Sequence, residues 1–146
     1  MTVLANVTGV VIAGRALLIE GPPGAGKSSL ALTLIDRGAI LVGDDAVSVA
    51  REGDALVASP PPNTAGLIEL RNIGIAELPV ASGPVTLILK LDPAAPRFPM
   101  EIATQVIEGI DVPVLSFAAG DAVQALRAEY ALARHGLPLP KFGENA

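Results

Sequence analysis

The segment Gly21-Pro22-Pro23-Gly24-Ala25-Gly26-Lys27-Ser28 has the spacing G-x-x-x-x-G-K-[ST]. Each residue type in that pattern has a chemical use. Glycines let successive backbone amides curl around phosphate oxygens without Cβ clashes. A helix that starts at the end of such a loop points its positive dipole end at the same anion. A lysine at position 27 reaches the β- and γ-phosphates of a nucleotide, and the hydroxyl of Ser28 is a ligand for Mg²⁺. We therefore expect Gly21, Pro22, Pro23, Gly24, Ala25, Gly26, Lys27, Ser28 and the adjoining Ser29 to contact a nucleotide, with ATP and Mg²⁺ as the natural pair. The bland alternative is a glycine-rich turn before a helix. The apolar strand pattern before the loop and the helical pattern after it favour the phosphate reading.

A second constellation is Asp44-Asp45, which follows a short apolar stretch downstream of the loop. In open α/β sheets, ligands sit beyond the carboxyl ends of strands, so both carboxylates are expected near the terminal phosphate. One can hold Mg²⁺ directly or through water, and the other can take a proton from an attacking hydroxyl. Gly-Asp-Asp is also ordinary turn chemistry. The phosphate loop upstream tilts the choice toward function.

The elements that must position these residues follow from the pattern. Val7–Ile12 and Ala16–Ile19 predict a hairpin around Ala13-Gly14, whose second strand delivers the chain into the loop. Leu30, Ala31, Leu34 and Ile35 predict a helix over Ser28–Arg37, stopped at Gly38. Ile40–Val42 predicts a buried strand, and Val47–Ala50 with Ala55–Ala58 a second hairpin. Pro60-Pro61-Pro62 must be irregular, because prolines lack amide donors; it is either a connector or a flap over the site. Val85–Leu91 predicts a strand and Pro93–Pro99 a loop, with Asp92 starting a turn. Ile102, Val106 and Ile107 predict a helix over Glu101–Glu108. Val112–Phe117 predicts the last strand. Asp121 with Gln124 predicts a helix start, and Ala122, Val123, Leu126, Tyr130 and Ala133 its buried stripe, closed by Gly136. His135 falls in that helix's last turn, where a cation suits the dipole. One domain over 1–136 is expected, with 137–146 as a flexible tail.

Composition removes several function classes. The net charge is −5 and the ten lysines and arginines form no run, so nucleic acid is not the expected partner. No uncharged apolar stretch reaches the ~18 residues of a membrane helix, so no membrane role is expected. There is no cysteine, hence no disulfide and no thiolate metal site. Apolar residues are 51% but aromatics only 3%, so the core must be built from Ala, Val, Leu and Ile. No basic patch precedes an apolar segment at the start, which leads to the expectation of a cytoplasmic protein.

Taken together, the phosphate loop, Asp44-Asp45 and Ile68-Glu69-Leu70-Arg71-Asn72-Ile73-Gly74-Ile75 resemble HPr kinase/phosphorylase. That family's signature reads roughly Leu-Glu-Ile-Arg-Gly-x-Gly-Ile; Glu69, Arg71, Gly74 and Ile75 match it, and Asn72 replaces a glycine. The resemblance covers about residues 5 to 135. It implies an α/β, P-loop-containing core with a mixed sheet, related to phosphoenolpyruvate carboxykinase. It implies a serine kinase acting on an HPr-like phosphocarrier protein, in some members reversible with inorganic phosphate, and a homo-oligomer, typically a hexamer. It assigns Asp44 as general base, Asp45 to the metal with Ser28 and Glu69, and Arg71 to the catalytic set with Lys27. From spacing alone, Glu69 and Arg71 would be read as a solvated face. No counterpart of the family's N-terminal domain is seen, as in the short forms of some Gram-negative bacteria. Asn6 stands where many members have a histidine. Val112-Pro113-Val114 is followed by Leu115-Ser116-Phe117-Ala118-Ala119-Gly120, without the arginine of the family's Arg-Pro-Gly-Arg-Asn.

The leading expectation is thus an ATP-dependent protein serine kinase. A nucleotide sensor without turnover is the alternative, and the substitution at Asn6 and the missing arginine are its marks. The intact acid pair argues the other way, since a pure binder needs no base. A P-loop kinase for another substrate would usually bring clustered arginines, which this chain lacks.

Overall fold

Ala16, Leu17, Leu18 and Ile19 are apolar in succession and all fully buried. A strand that hides both faces must lie inside a sheet that is covered on both sides. They form β3 (Arg15–Glu20), and the computed structural model, which describes residues 1–99 and 101–140, places β3 at the centre of a mixed sheet. On one side β3 pairs antiparallel with β2 (Val7–Ile12), which in turn pairs with β4 (Ile40–Gly43). On the other it pairs parallel with β9 (Gly83–Leu91), with Leu18 opposite Ile88. The latter half of β9 continues in parallel to β11 (Ile110–Phe117).

The start of β9 has a different neighbour. Val57 of β6 (Ala55–Ser59) lies opposite Pro84, and β6 leads through β5 (Ala46–Glu52) to the edge strand β1 (Thr2–Ala5). The sheet therefore curls onto itself. Period-two alternation divides the side chains of β3 between two cores. Leu17 and Ile19 pack with Leu30, Ala31 and Leu34 of α1 (Lys27–Asp36) and with α2 (Gln124–His135). Ala16 and Leu18 pack with Val47 and Val49 of β5 and Leu56 of β6. Each fully buried leucine or isoleucine contributes about 1.5–3 kcal/mol relative to leaving it in water.

The expected α/β class with a mixed sheet is the one observed, and three local expectations are corrected. Glu101–Glu108 is not a helix: Ala103–Ile107 is β10, antiparallel to β11. Thr104, Val106 and Ile107 are β-branched and suit a strand. Glu108 (φ 51°) and Gly109 (φ 77°) close a two-residue turn whose two left-handed residues match strand twist. Ile107 is buried while its neighbour Val106 is 64% exposed, which is the alternation of a strand.

The second correction concerns α2. Its predicted stripe, Ala122, Val123, Leu126, Tyr130 and Ala133, faces solvent, and the buried face is Ala125, Ala128, Ala131 and Leu132. Both faces are apolar, and the alanine face lets the helix approach the sheet more closely than a tyrosine would. The helix-start pair stands at the start of α2 but does not form a reciprocal capping box: Val123 is the N-cap and no side chain caps it. Val123 N donates to Asp121 Oδ1 at 3.2 Å, and Gly120 N donates to Gln124 Oε1 at 2.8 Å. His135 and Arg134 occupy the last turn.

Thirdly, the chain after α2 does not leave the fold at once. Leu137 N donates to Thr86 O at 2.9 Å, and Arg15 Nη1 donates to Leu137 O at 3.1 Å. Residues 141–146 of the expected tail lie outside the described residues. Asp92 does start a turn, its carboxylate accepting from Ala94 N at 2.9 Å. No helix among the described residues is long and apolar enough to cross a membrane.

Candidate phosphate-binding and acid site

The loop between β3 and α1 is shaped by two glycines. Gly24 (φ 82°) and Gly26 (φ 102°) have left-handed backbones, and a Cβ at either would meet nothing within 4 Å. They serve backbone direction rather than packing, as a loop that curls its amides around an anion requires. Ala25 N donates to Pro22 O at 3.1 Å and closes the turn. Gly26 is the N-cap of α1; no side chain caps that end, and its first turn contains no acid. The positive end of the helix is thus left free for an external anion.

Lys27 is buried although charged, and a buried ammonium needs partners. Its Nζ donates to Gly21 O at 2.6 Å and Pro22 O at 3.2 Å, and lies 3.9 Å from Asp45 Oδ1. The ammonium is therefore already held across the base of the loop. Ser28, one residue on, donates its hydroxyl to Asp44 Oδ1 at 2.6 Å.

The acid pair is brought to the loop by β4, which runs beside β2 and ends at Gly43. Gly43 is demanded by close approach: a Cβ there would stand 2.1 Å from Ala46 O and 2.9 Å from Pro61 Cδ. Pro61 is buried against Gly43, whereas Pro62 is exposed. Asp45 has φ 61°, rare for a residue with a side chain, and its carbonyl accepts from Asn6 N at 2.8 Å. Asn6 thus touches the site through its backbone. The two acids differ in setting. Asp44 is half-buried and hydrogen-bonded, whereas the Asp45 side chain is 69% exposed.

The structure joins Lys27, Ser28, Asp44 and Asp45 in one cluster. It does not bring Glu69 or Arg71 to them. Both are exposed on a separate hairpin of β7 (Leu67–Leu70) and β8 (Gly74–Glu77), and no hydrogen bond or ion pair links either to the loop among the described residues. One member of the cluster escaped the sequence reading. Thr8 of β2 is fully buried; its Oγ1 donates to Asp44 Oδ1 at 3.1 Å and accepts from Asp45 N at 3.3 Å. The available signal was a lone hydroxyl in the otherwise apolar Val7–Ile12. At the end of β11, where the family's arginine is missing, Arg127 of α2 folds back. It donates to Ala118 O at 2.7 Å, and its Cζ lies 4.4 Å from the Phe117 ring centroid.

The donor set suits a hard cation, since Ser28, Asp44 and Asp45 offer only oxygen. Glu69, expected as a further ligand, is not part of that set among the described residues.

Comparison with known proteins identifies the family. The family model described as HPr Serine kinase C-terminal domain matches residues 2–88. HPr kinase/phosphorylase of Clostridium acetobutylicum is 45% identical over 74 residues, which are 51% of this chain and 24% of that protein. HPr kinase/phosphorylase of Limosilactobacillus reuteri is 36% identical over 121 residues, 73% of this chain and 38% of that protein. The matched stretches thus span 24% to 38% of the length of these curated relatives. A solved structure, the Hpr(Ser) kinase/phosphatase from Coxiella burnetii, superposes with a TM-score of 0.76 at 30% identity. That match covers 91% of this chain and 98% of the other. On the strength of the family match and of the loop and acids it spans, the chain belongs to the HPr serine kinase C-terminal domain family.

Proposed function

We propose that this chain transfers the γ-phosphoryl group of ATP to a serine of an HPr-like phosphocarrier protein. The observation that carries the proposal is the hydrogen-bonded cluster of Ser28 and Asp44 beside the buried Lys27 ammonium, at the open end of α1. The names and fold of the relatives supply the substrate class. Gly21 to Ser29 hold the phosphates through backbone amides and the helix end. Lys27 exchanges its loop carbonyls for phosphate oxygens and offsets charge on the transferring group. Asp44 accepts the proton of the carrier's serine as that oxygen bonds to phosphorus and the bond to the ADP oxygen breaks.

Mg²⁺, when bound, neutralises charge on the β- and γ-oxygens. Ser28 and Asp45 are the residues that would hold it. Glu69 and Arg71 would join from their hairpin, as the resemblance implies. The reaction places the protein among cytoplasmic ATP and carrier, and the family implies that it works as a homo-oligomer.

The test is incorporation of labelled phosphate from ATP into a carrier serine. Label should appear with the wild type and fall to background with Lys27→Ala. Nucleotide binding without label in any carrier from the same organism would instead support a sensor.

A further inference from the structure

We infer that Thr8 is a positioning residue for the acid pair, holding Asp44 in the orientation that leaves one oxygen free to take a proton. The inference rests on the kinase reading of the site. Thr8 stands where β2 passes the end of β4, after the pair Gly9–Gly43 and opposite Ile19 of β3. Pairing with β3 fixes its backbone on one side and the neighbouring Gly9–Gly43 pair adjoins it on the other, its side chain is fully buried, and a β-branched residue has restricted χ1 freedom. The hydroxyl is therefore fixed in direction.

Its two hydrogen bonds serve two different residues. The hydroxyl proton goes to Asp44 Oδ1 at 3.1 Å, and the oxygen lone pair accepts Asp45 N at 3.3 Å. The same Asp44 oxygen also accepts from Ser28 at 2.6 Å. Both donors lie on Oδ1, and Oδ2 makes no hydrogen bond among the described residues. That leaves Oδ2 as the oxygen available to an incoming hydroxyl. The two donors are not equivalent. Ser28 is half-buried in the loop and has a second duty toward the metal. Thr8 has no such duty and remains when Ser28 turns away. The backbone of Asp45, left-handed at φ 61°, is clamped by the Thr8 oxygen on its amide and by Asn6 N on its carbonyl. One strand thus orients both acids, the first through its carboxylate and the second through its backbone.

Thr8→Val keeps the shape and removes the hydroxyl; Thr8→Ser keeps the hydroxyl. In the labelled-phosphate assay, Thr8→Val should lower kcat by roughly tenfold or more with KM for ATP unchanged, the pattern of lost positioning. Thr8→Ser should recover most of the rate. Added to Asp44→Asn, Thr8→Val should cost nothing further, because the group it orients is gone. Full kcat in Thr8→Val, or an equal loss in the Asp44→Asn background, would overturn the inference while leaving the kinase reading intact. If the wild type labels no carrier, the kinase reading falls and hydrogen exchange decides the positioning. The Asp45 amide should then exchange about tenfold faster in Thr8→Val, with the β3 amides unchanged. No change at Asp45 would overturn the inference by that route.

Discussion

Two regions carry the residues that resemble the kinase family, and they are built in opposite ways. The first runs from β2 through the phosphate loop and α1 to Asp45. Its chemical groups are tied to the core: Lys27 and Thr8 are buried, Ser28 and Asp44 are hydrogen-bonded, and Gly43 lies against Ala46 and Pro61. The second is the β7–β8 hairpin. Only Ile68 anchors it deeply, while Glu69 and Arg71 are exposed and Ile73 and Ile75 are 81% and 67% exposed. A group fixed by its surroundings works without reorganising, whereas a group on an exposed hairpin must be ordered by whatever it meets. The first region is organised before any ligand arrives, whereas Glu69 and Arg71 have no hydrogen-bond or ion-pair partner among the described residues.

The largest expected effect lies in the first region. Asp44→Asn keeps the volume and the hydrogen bond from Ser28 but removes the proposed base. It should lower kcat by about 10²–10⁴-fold, the usual contribution of general base catalysis. Calorimetric binding of ATP without Mg²⁺ should be little changed, since Asp44 is not part of the loop that grips the phosphates. A rate within a few-fold of wild type would move the base elsewhere and erase the functional contrast between the regions. Next comes Gly43→Ala. A Cβ 2.1 Å from Ala46 O forces β4 or the start of β5 to shift. Overpacking of this kind costs about 1–3 kcal/mol, read as a lower midpoint in urea, and activity should fall with it because Asp44 is the next residue. An unchanged midpoint would show that this junction is looser than the packing of Gly43 implies.

How much of this was legible in the sequence follows the same division. The loop, α1 and β2 to β6 could be read because local signals and global packing agree there. Glycines sit where the backbone turns left-handed, and the apolar runs are those of buried strands. Thr8 was not legible, because a hydroxyl in an apolar strand gains meaning only when Asp44 arrives from a different strand. The misreading of Ala103–Ile107 had a local cause. Ile102, Val106 and Ile107 fit a helical spacing, but the Glu108-Gly109 turn and the pairing with β11 decided for a strand. In α2 the larger apolar residues form the more conspicuous helical stripe, yet the buried face is Ala125, Ala128 and Ala131. The roles of Glu69 and Arg71 rest on resemblance, with only the general fitness of a guanidinium for phosphoryl charge beside it for Arg71, and their exposure fits the solvated face that spacing suggests.

The smallest expected effect sharpens the comparison most. Arg71 is exposed in the β7–β8 turn and forms no ion pair among the described residues, so its truncation should leave stability within about 0.5 kcal/mol, as for an ordinary surface position. If the hairpin is ordered by the nucleotide or the carrier, Arg71→Ala should still slow phosphoryl transfer, since a guanidinium near the transferring group offsets its charge. The informative result is the pairing of the two readouts. Unchanged urea midpoint with reduced kcat marks a residue recruited by the ligand. Unchanged midpoint with unchanged kcat makes the hairpin a solvated appendage and confines the chemistry to the first region. A lowered midpoint would mean that the hairpin is part of the folded core after all, and the contrast drawn between the two regions would be wrong.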